Sequence, residues 1–244
     1  MCTVSFVPIG KNHIVLTSNR DELVGRSTML PKMETVNGNK VIYPKDMLAG
    51  GTWITAGSNG KVYCLLNGAY EKHEPKASYK KSRGKVVIEA LAYSNFNEFI
   101  QKTELEGIEP FTLIALEMDS ETTLTELRWD GSLKHIDHLN AKTSHFWSSA
   151  TLYDSKIRDL REGCFYKWVK KFPRNNGELI MNFHSSNHGI GPENDLVMKR
   201  EKGPQTVSIT QVEMAKESFK MDYYRVLEDQ AVIFQNEIKG IRNA

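Results

Sequence analysis

Apolar positions in the first 22 residues fall into two short runs separated by a polar turn. Residues 2–7 and 13–18 are rich in β-branched and aromatic side chains, a strand pattern. Between them, residues 9–12 carry Gly10 and Asn12, which favour turns. The pair reads as a hairpin whose second strand runs into Asn19, Arg20, Asp21 and Glu22. Residues 26–46 show no clear period, which predicts loop with one short strand near 40–43. Residues 53–56 and 61–66 flank Ser58-Asn59-Gly60, a hairpin signal because Asn and Gly tolerate positive φ. Residues 71–82 are polar and lysine-rich and predict an exposed loop.

Apolar spacing then turns helical. Val87, Ala90 and Leu91 predict a helix over 84–93, and Asn95 is placed to cap a second over 96–102 that buries Phe96, Phe99 and Ile100. Residues 111–118 and 122–129 alternate as strands, Asp130-Gly131 makes a further hairpin turn, and 146–152 is another strand. Ser155 is placed to cap a long amphipathic helix to about Phe172, with Ile157, Leu160, Cys164, Trp168 and Phe172 on one side. Pro173 stops it. A short helix over 178–183 follows, then strands at 196–199, 206–212 and 219–226. Strands and helices in segregated runs predict an α+β fold with antiparallel sheets. No repeat or linker divides the chain, so a single domain over 1–244 is expected.

Composition narrows the function. The 244 residues are 40% hydrophobic and 25% charged, enough for a substantial core. A net charge of +2 gives no field demanding nucleic acid or an anionic membrane. No apolar run is long enough to span a bilayer. Lys11, Asn12 and His13 interrupt the first run, so no secretory signal is read and a cytoplasmic location is expected. The three cysteines, Cys2, Cys64 and Cys164, are too few and too scattered for a disulfide framework or a zinc site. The cluster His135, His138 and His145 and the i,i+4 pair His184 and His188 lack further ligands, so no metal and no cofactor is expected. No pattern specifies an oligomeric state.

The candidate chemistry lies at the start of the chain. Once Met1 is removed, Cys2 carries a free α-amine beside its thiol, with reference pKa values near ~8 and ~8.5. The amine is then positioned to act as base for the thiol, directly or through a water, as in N-terminal threonine enzymes. Such a nucleophile needs a cation or donor for the thiolate, a carboxylate for the amine and an oxyanion hole. Arg20 and Asp21 offer the first two. Successive strand residues face opposite ways, so both reach Cys2 only if the strand has ended by Asn19.

The start MCTVSF, the SNRDE that follows and DMLAGGTW at 46–53 closely resemble the NRDE family, which includes the transport-and-Golgi-organisation proteins of animals. The resemblance continues through Leu66-Asn67, Ser82-Arg83-Gly84, 111–114 and 147–152. That family is in turn similar to the cysteine N-terminal nucleophile hydrolases, of the choloylglycine hydrolase and penicillin V acylase type. The resemblance implies a four-layer αββα sandwich of two antiparallel sheets. It implies that Asn19-Arg20-Asp21 matches an Asn-x-Asp element in which Asp21 holds the amine and Asn19 contacts substrate. Those enzymes place an arginine ahead of this asparagine, where this chain has Thr17-Ser18, and Arg20 either replaces it from a different position or does something else. Asn67 matches their oxyanion asparagine. Ser149 stands where they carry a second asparagine, and Gln205 is the nearest match to a late arginine.

The residues leave alternatives open. Trp53 either packs in the core or lines the substrate pocket. Arg20 either assists the nucleophile or pairs structurally with Asp21 or Asp46. Arg83 either braces the helix after it or binds an anionic ligand. Cys64, Cys164 and the Trp168–Phe172 stripe read as core. The expected activity is hydrolysis of a non-peptide amide or related acyl bond through an acyl-thioester, with a small-molecule substrate. The alternative is a non-catalytic carrier or chaperone that holds a hydrophobic ligand, an acyl chain or haem, in the same pocket.

Overall fold

A computed structural model describes residues 3–216 and 218–228 with side chains, and the backbone of 234–239. Cys2, the first member of the expected site, lies outside the described residues.

The opening hairpin forms as expected, as β1 (Thr3–Gly10) and β2 (His13–Glu22). The unperiodic segment forms a second hairpin: the short strand expected near 40–43 is β4 (Asn39–Asp46), and the expected loop before it is instead β3 (Thr28–Val36). Its turn is Asn37-Gly38, both at positive φ (49° and 78°). Here β3 is an edge strand whose pairing shifts register between Met29 and Lys32. Edge strands tolerate proline and mixed polarity, which erased the alternation that a sequence reading relies on.

The hairpin around Ser58-Asn59-Gly60 is β5 (Ile54–Gly57) and β6 (Lys61–Asn67). Helices α1 (Arg83–Ala90) and α2 (Phe96–Lys102) follow, the latter capped by Asn95, whose side chain accepts from the Glu98 amide. Then come β7 (Phe111–Met118), β8 (Thr122–Trp129), β9 (Lys134–Leu139) and β10 (His145–Ser148). The last ends four residues earlier than expected. Helix α3 (Ser155–Lys171) is capped by Asp154 and not by Ser155, and α4 (Gly177–Ser185) by Asn176. Residues 196–199 do not form the expected strand. Of the late strands, β11 (Gln205–Ala215) is longer than expected and β12 (Ser218–Arg225) has the expected length one residue earlier, with β13 (Phe234–Lys239) beside them.

Two antiparallel sheets result. One runs β10-β1-β2-β11-β12-β13, and the other is a meander in chain order from β3 to β9. Period-two patterning gives every central strand two working faces. Val4, Phe6, Leu16, Val62, Cys64, Leu66, Ile114 and Leu116 point between the sheets. Their neighbours Tyr63, Leu65, Phe111 and Leu113 pack under α1 and α2. Val7, Val15 and Phe146 pack under Phe165 of α3 and Ile180 and Phe183 of α4. The layers are therefore α1/α2, sheet, sheet, α3/α4, an αββα sandwich. Burying each such side chain contributes about 2 kcal/mol.

Candidate active site

Strand β2 does not end at Asn19. It stays paired through Glu22, with Gln205 opposite Glu22 and Thr206 opposite Asp21. Strand parity therefore holds, and Arg20 and Asp21 face opposite layers.

Arg20 lies on the side between the sheets and is 3% exposed. Its Nη2 donates to Asp46 Oδ2 at 2.7 Å, and its guanidinium stacks over Trp53 at 4.7 Å. The ion-pair alternative thus resolves to Asp46. Arg26 Nε donates to the same oxygen at 2.7 Å, and Arg26 also pairs with Glu22 at 3.1 Å. The other Asp46 oxygen accepts from the amides of Leu48 (3.1 Å) and Ala49 (2.8 Å). Burial works against ionisation of Asp46, but the Ala49 amide and the Arg26 and Arg20 guanidinia outweigh it and hold the carboxyl below its usual range.

Asp21 lies on the α3/α4 side. Its Oδ2 accepts from the Tyr153 hydroxyl at 3.0 Å and its Oδ1 from Thr206 Oγ1 at 2.5 Å. On this side, too, Thr3, the residue after Cys2, is fully buried and pairs with Asn19 and Ser148 across its two neighbouring strands. Its hydroxyl accepts from Arg161 Nη2. Arg161 is itself fully buried. It donates to Ser148 Oγ (3.1 Å) and to the carbonyls of Asn194 (2.6 Å) and Asp195 (2.8 Å), and it stacks over Tyr153 at 4.1 Å.

Asn19, which the resemblance implied as a substrate contact, has its side chain hydrogen-bonded within the fold. It is fully buried beneath α4, because its parity is that of Asp21 and not of Arg20. Its Nδ2 donates to the carbonyls of His184 (3.0 Å) and Leu196 (2.8 Å), and its Oδ1 accepts from His184 Nδ1 at 2.6 Å. His184 Nε2 therefore accepts from Ser5 Oγ at 2.7 Å. Burial first, then the charges of Arg161 and His188, push this imidazole down to about 3, so it is neutral.

Arg20, Trp53 and Asn67 meet at a cleft of about 190 Å³, together with Glu22, Arg26, Asp46, Ser82, Arg83 and Glu109. Trp53 is 3% exposed in the inter-sheet core and also lines this cleft. Arg83 pairs with Glu109 (3.1 Å) and donates to the Pro110 carbonyl (3.2 Å) at the start of α1. The two glycines of AGGTW divide the work of shaping the wall. Gly50 turns the chain at φ +67°, while Gly51 lies directly against Gly84. A Cβ on Gly51 would sit 2.4 Å from the Gly84 carbonyl carbon, and the Thr52 amide donates to the Gly84 carbonyl at 3.1 Å. The AGGTW and SRG motifs are thus one backbone-to-backbone contact.

Asn67 ends β6, and among the described residues no hydrogen bond uses its side-chain amide. Ser149 Oγ donates to the Asn67 carbonyl at 2.8 Å, so its one hydrogen braces the strand end. Gln205 donates to the Arg200 carbonyl at 2.8 Å. Cys64 lies in the inter-sheet core, where burial pushes its thiol up to about 12 and leaves it unreactive. Cys164, expected in the core, is only half-buried.

Sequence reasoning missed Tyr153, Thr206 and Arg161, weighed His184 only as a metal ligand, and offered Asp46 as one of two partners for Arg20. Asp46 stood inside the DMLAGGTW motif. An arginine on a helix reads as solvent-facing, so Arg161 gave no signal. The buried stripe of α3 is accordingly Arg161 and Phe165, and Leu160, expected inside, is 49% exposed.

The arrangement presents a carboxylate fixed by two hydroxyls on one side of β2. On the other side it presents a guanidinium, an indole and an amide around a polar cleft. A profile of the family described as Transport and Golgi organisation 2 matches residues 1–225. The Transport and Golgi organization 2 homolog of Mus musculus is 29% identical over 132 residues, covering 49% of this chain and 46% of that protein. The match thus spans about half the length of that curated relative. Among solved structures, a variant of conjugated bile acid hydrolase from Clostridium perfringens aligns with a TM-score of 0.60 at 11% identity, covering 98% of this chain and 92% of the other. Penicillin V acylase from Agrobacterium tumefaciens gives 0.60 at 11%, covering 97% and 86%. The Caenorhabditis elegans N-acylethanolamine-hydrolyzing acid amidase ortholog gives 0.57 at 13%, covering 86% and 92%. At these identities the likeness is one of fold, the sandwich of the N-terminal nucleophile hydrolases.

Proposed function

The chain belongs to the Transport and Golgi organisation 2 family, and from that premise we propose that it is an N-terminal nucleophile hydrolase of a non-peptide amide or related acyl bond, with Cys2 as nucleophile. The observation that carries the reading is that the end of β2 next to Thr3 presents Asp21 on one face and, on the other, Arg20 at a cleft it shares with Asn67. The solved relatives in fold are a conjugated bile acid hydrolase, a penicillin V acylase and an N-acylethanolamine-hydrolysing amidase. They support amide or acyl chemistry without naming a substrate.

The reaction runs in two halves. After loss of Met1, the Cys2 amine, oriented by Asp21, takes the thiol proton. The sulfur attacks the carbonyl carbon, and the Asn67 amide donates to the oxyanion. The tetrahedral adduct collapses, the C–N bond breaks and the leaving amine takes the proton from the Cys2 ammonium. Water then attacks the thioester and gives a proton to the Cys2 amine. The sulfur leaves, recovers that proton and the acid departs. Arg20 favours the thiolate electrostatically, and Ser149 holds the Asn67 strand end in place. The hydrophobic-carrier alternative gains nothing from the cleft, whose lining includes six charged residues.

Intact-mass analysis before and after a thiol-reactive acyl probe tests this. Wild-type protein is expected to lack Met1 and to gain one adduct at Cys2, and Cys2→Ala to gain none and to release no amine from acyl p-nitroanilides. Retained Met1, or Cys2→Ala turnover equal to wild type, sinks the proposal.

A further inference from the structure

A second cleft, of about 520 Å³, lies between Glu71-Lys72, the turn at Ala150–Asp154 and the start of α3, with Arg158 and Arg200 in its wall. Its arginines differ from those of the first cleft. Arg20, Arg26 and Arg83 each have a carboxylate partner. Among the described residues neither Arg158 nor Arg200 has one. Main-chain carbonyls hold them instead: Arg158 Nη1 donates to Tyr70 O at 2.7 Å, and Arg200 donates to Glu193 O (3.1 Å) and Leu152 O (3.4 Å). Arg158 Nε is buried and meets no acceptor. Each guanidinium is thereby fixed in direction while keeping at least three of its five N–H donors. Lys72 adds a third cation. Of the two carboxylates at the cleft, Asp154 is committed to capping α3 through the Ile157 amide, and Glu71 is exposed. The positive end of α3, at Ser155, opens on the same space.

Fixed guanidinia without counter-ions, at a cleft sized for a small molecule, suit an anion of high charge with many acceptor oxygens. We propose that this cleft binds the phosphate group of a small phosphorylated molecule, with Arg158 and Arg200 as its two forks. Tyr153, which lines this cleft, also donates to Asp21, so the site adjoins the chemistry assigned to Cys2, but its test does not use that residue.

Isothermal titration of the full chain with pyrophosphate is expected to show saturable binding that weakens as salt rises. Arg158→Gln and Arg200→Gln are each expected to raise Kd about tenfold. Exposed Lys72→Gln, which removes no hydrogen bond of the cleft, is expected to raise it about threefold and so reads the site without a risk to folding. Acetate is expected to bind at least about tenfold more weakly than pyrophosphate. Absence of saturable pyrophosphate binding, equal affinity for acetate, or an undiminished affinity in all three variants would overturn the assignment.

Discussion

Arg20 and Asp21 are neighbours in the chain, yet they sit in different layers of the molecule, and their partners follow from that. Arg20 is buried with Asp46, which it shares with Arg26. Removing the acid strands a buried guanidinium, a far larger cost than losing a surface pair. Asp46→Ala is expected to cost about 3 kcal/mol in urea unfolding. A loss below about 1 kcal/mol would mean that Arg26 and solvent hold Arg20 without it. Asp21 answers to Tyr153 and Thr206, which come from the far half of the sequence. The Asn19-Arg20-Asp21 string was legible, but the split of its side chains between layers depended on β2 continuing through Glu22.

At the scale of elements, the cleft wall is a junction between the loop before β5 and the start of α1, made possible by Gly51 and Gly84. Gly51→Ala pushes a methyl into the Gly84 backbone and is expected to cost about 1–3 kcal/mol by overpacking. Gly25→Ala is the control, since a Cβ there meets nothing within 4 Å, and its cost should stay within about 0.5 kcal/mol. Equal unfolding midpoints for the two variants would show that the junction yields freely. Among elements, the hairpins at 3–22 and 54–67 and the capped helix α2 were readable because period and turn residues agree there. Strand β3 was not, although Asn37-Gly38 is a hairpin signal, because this edge strand lacks alternation.

At the scale of the molecule, His184 joins α4 to the first two strands through Ser5 and Asn19. Its native pKa is near 3 against about 6.5 when unfolded. Between those values the unfolded chain binds a proton that the native state does not, so stability is lost as pH falls from 6.5 toward 3. Wild-type protein is expected to be a few kcal/mol less stable to urea at pH 4.5 than at pH 7.5, the order of a two-unit span at about 1.4 kcal/mol per unit. His184→Gln should lose most of that slope. A slope unchanged in the variant would assign the acid sensitivity to other groups.

The sequence by itself determined the strands and helices whose periods are strong, the α+β class, and the motifs that cluster at the head of the chain. Those are local properties, set by side-chain alternation and turn chemistry. Only the tertiary structure decided which face each motif residue takes and what it meets there. It assigned Arg20 to Asp46, Asn19 to His184 and Ser149 to the Asn67 carbonyl, and it buried Arg161 of α3 against Thr3 and Tyr153. Such pairings join residues as far apart as 185 positions, and a sequence carries no period for contacts that exist only once two sheets have closed on each other.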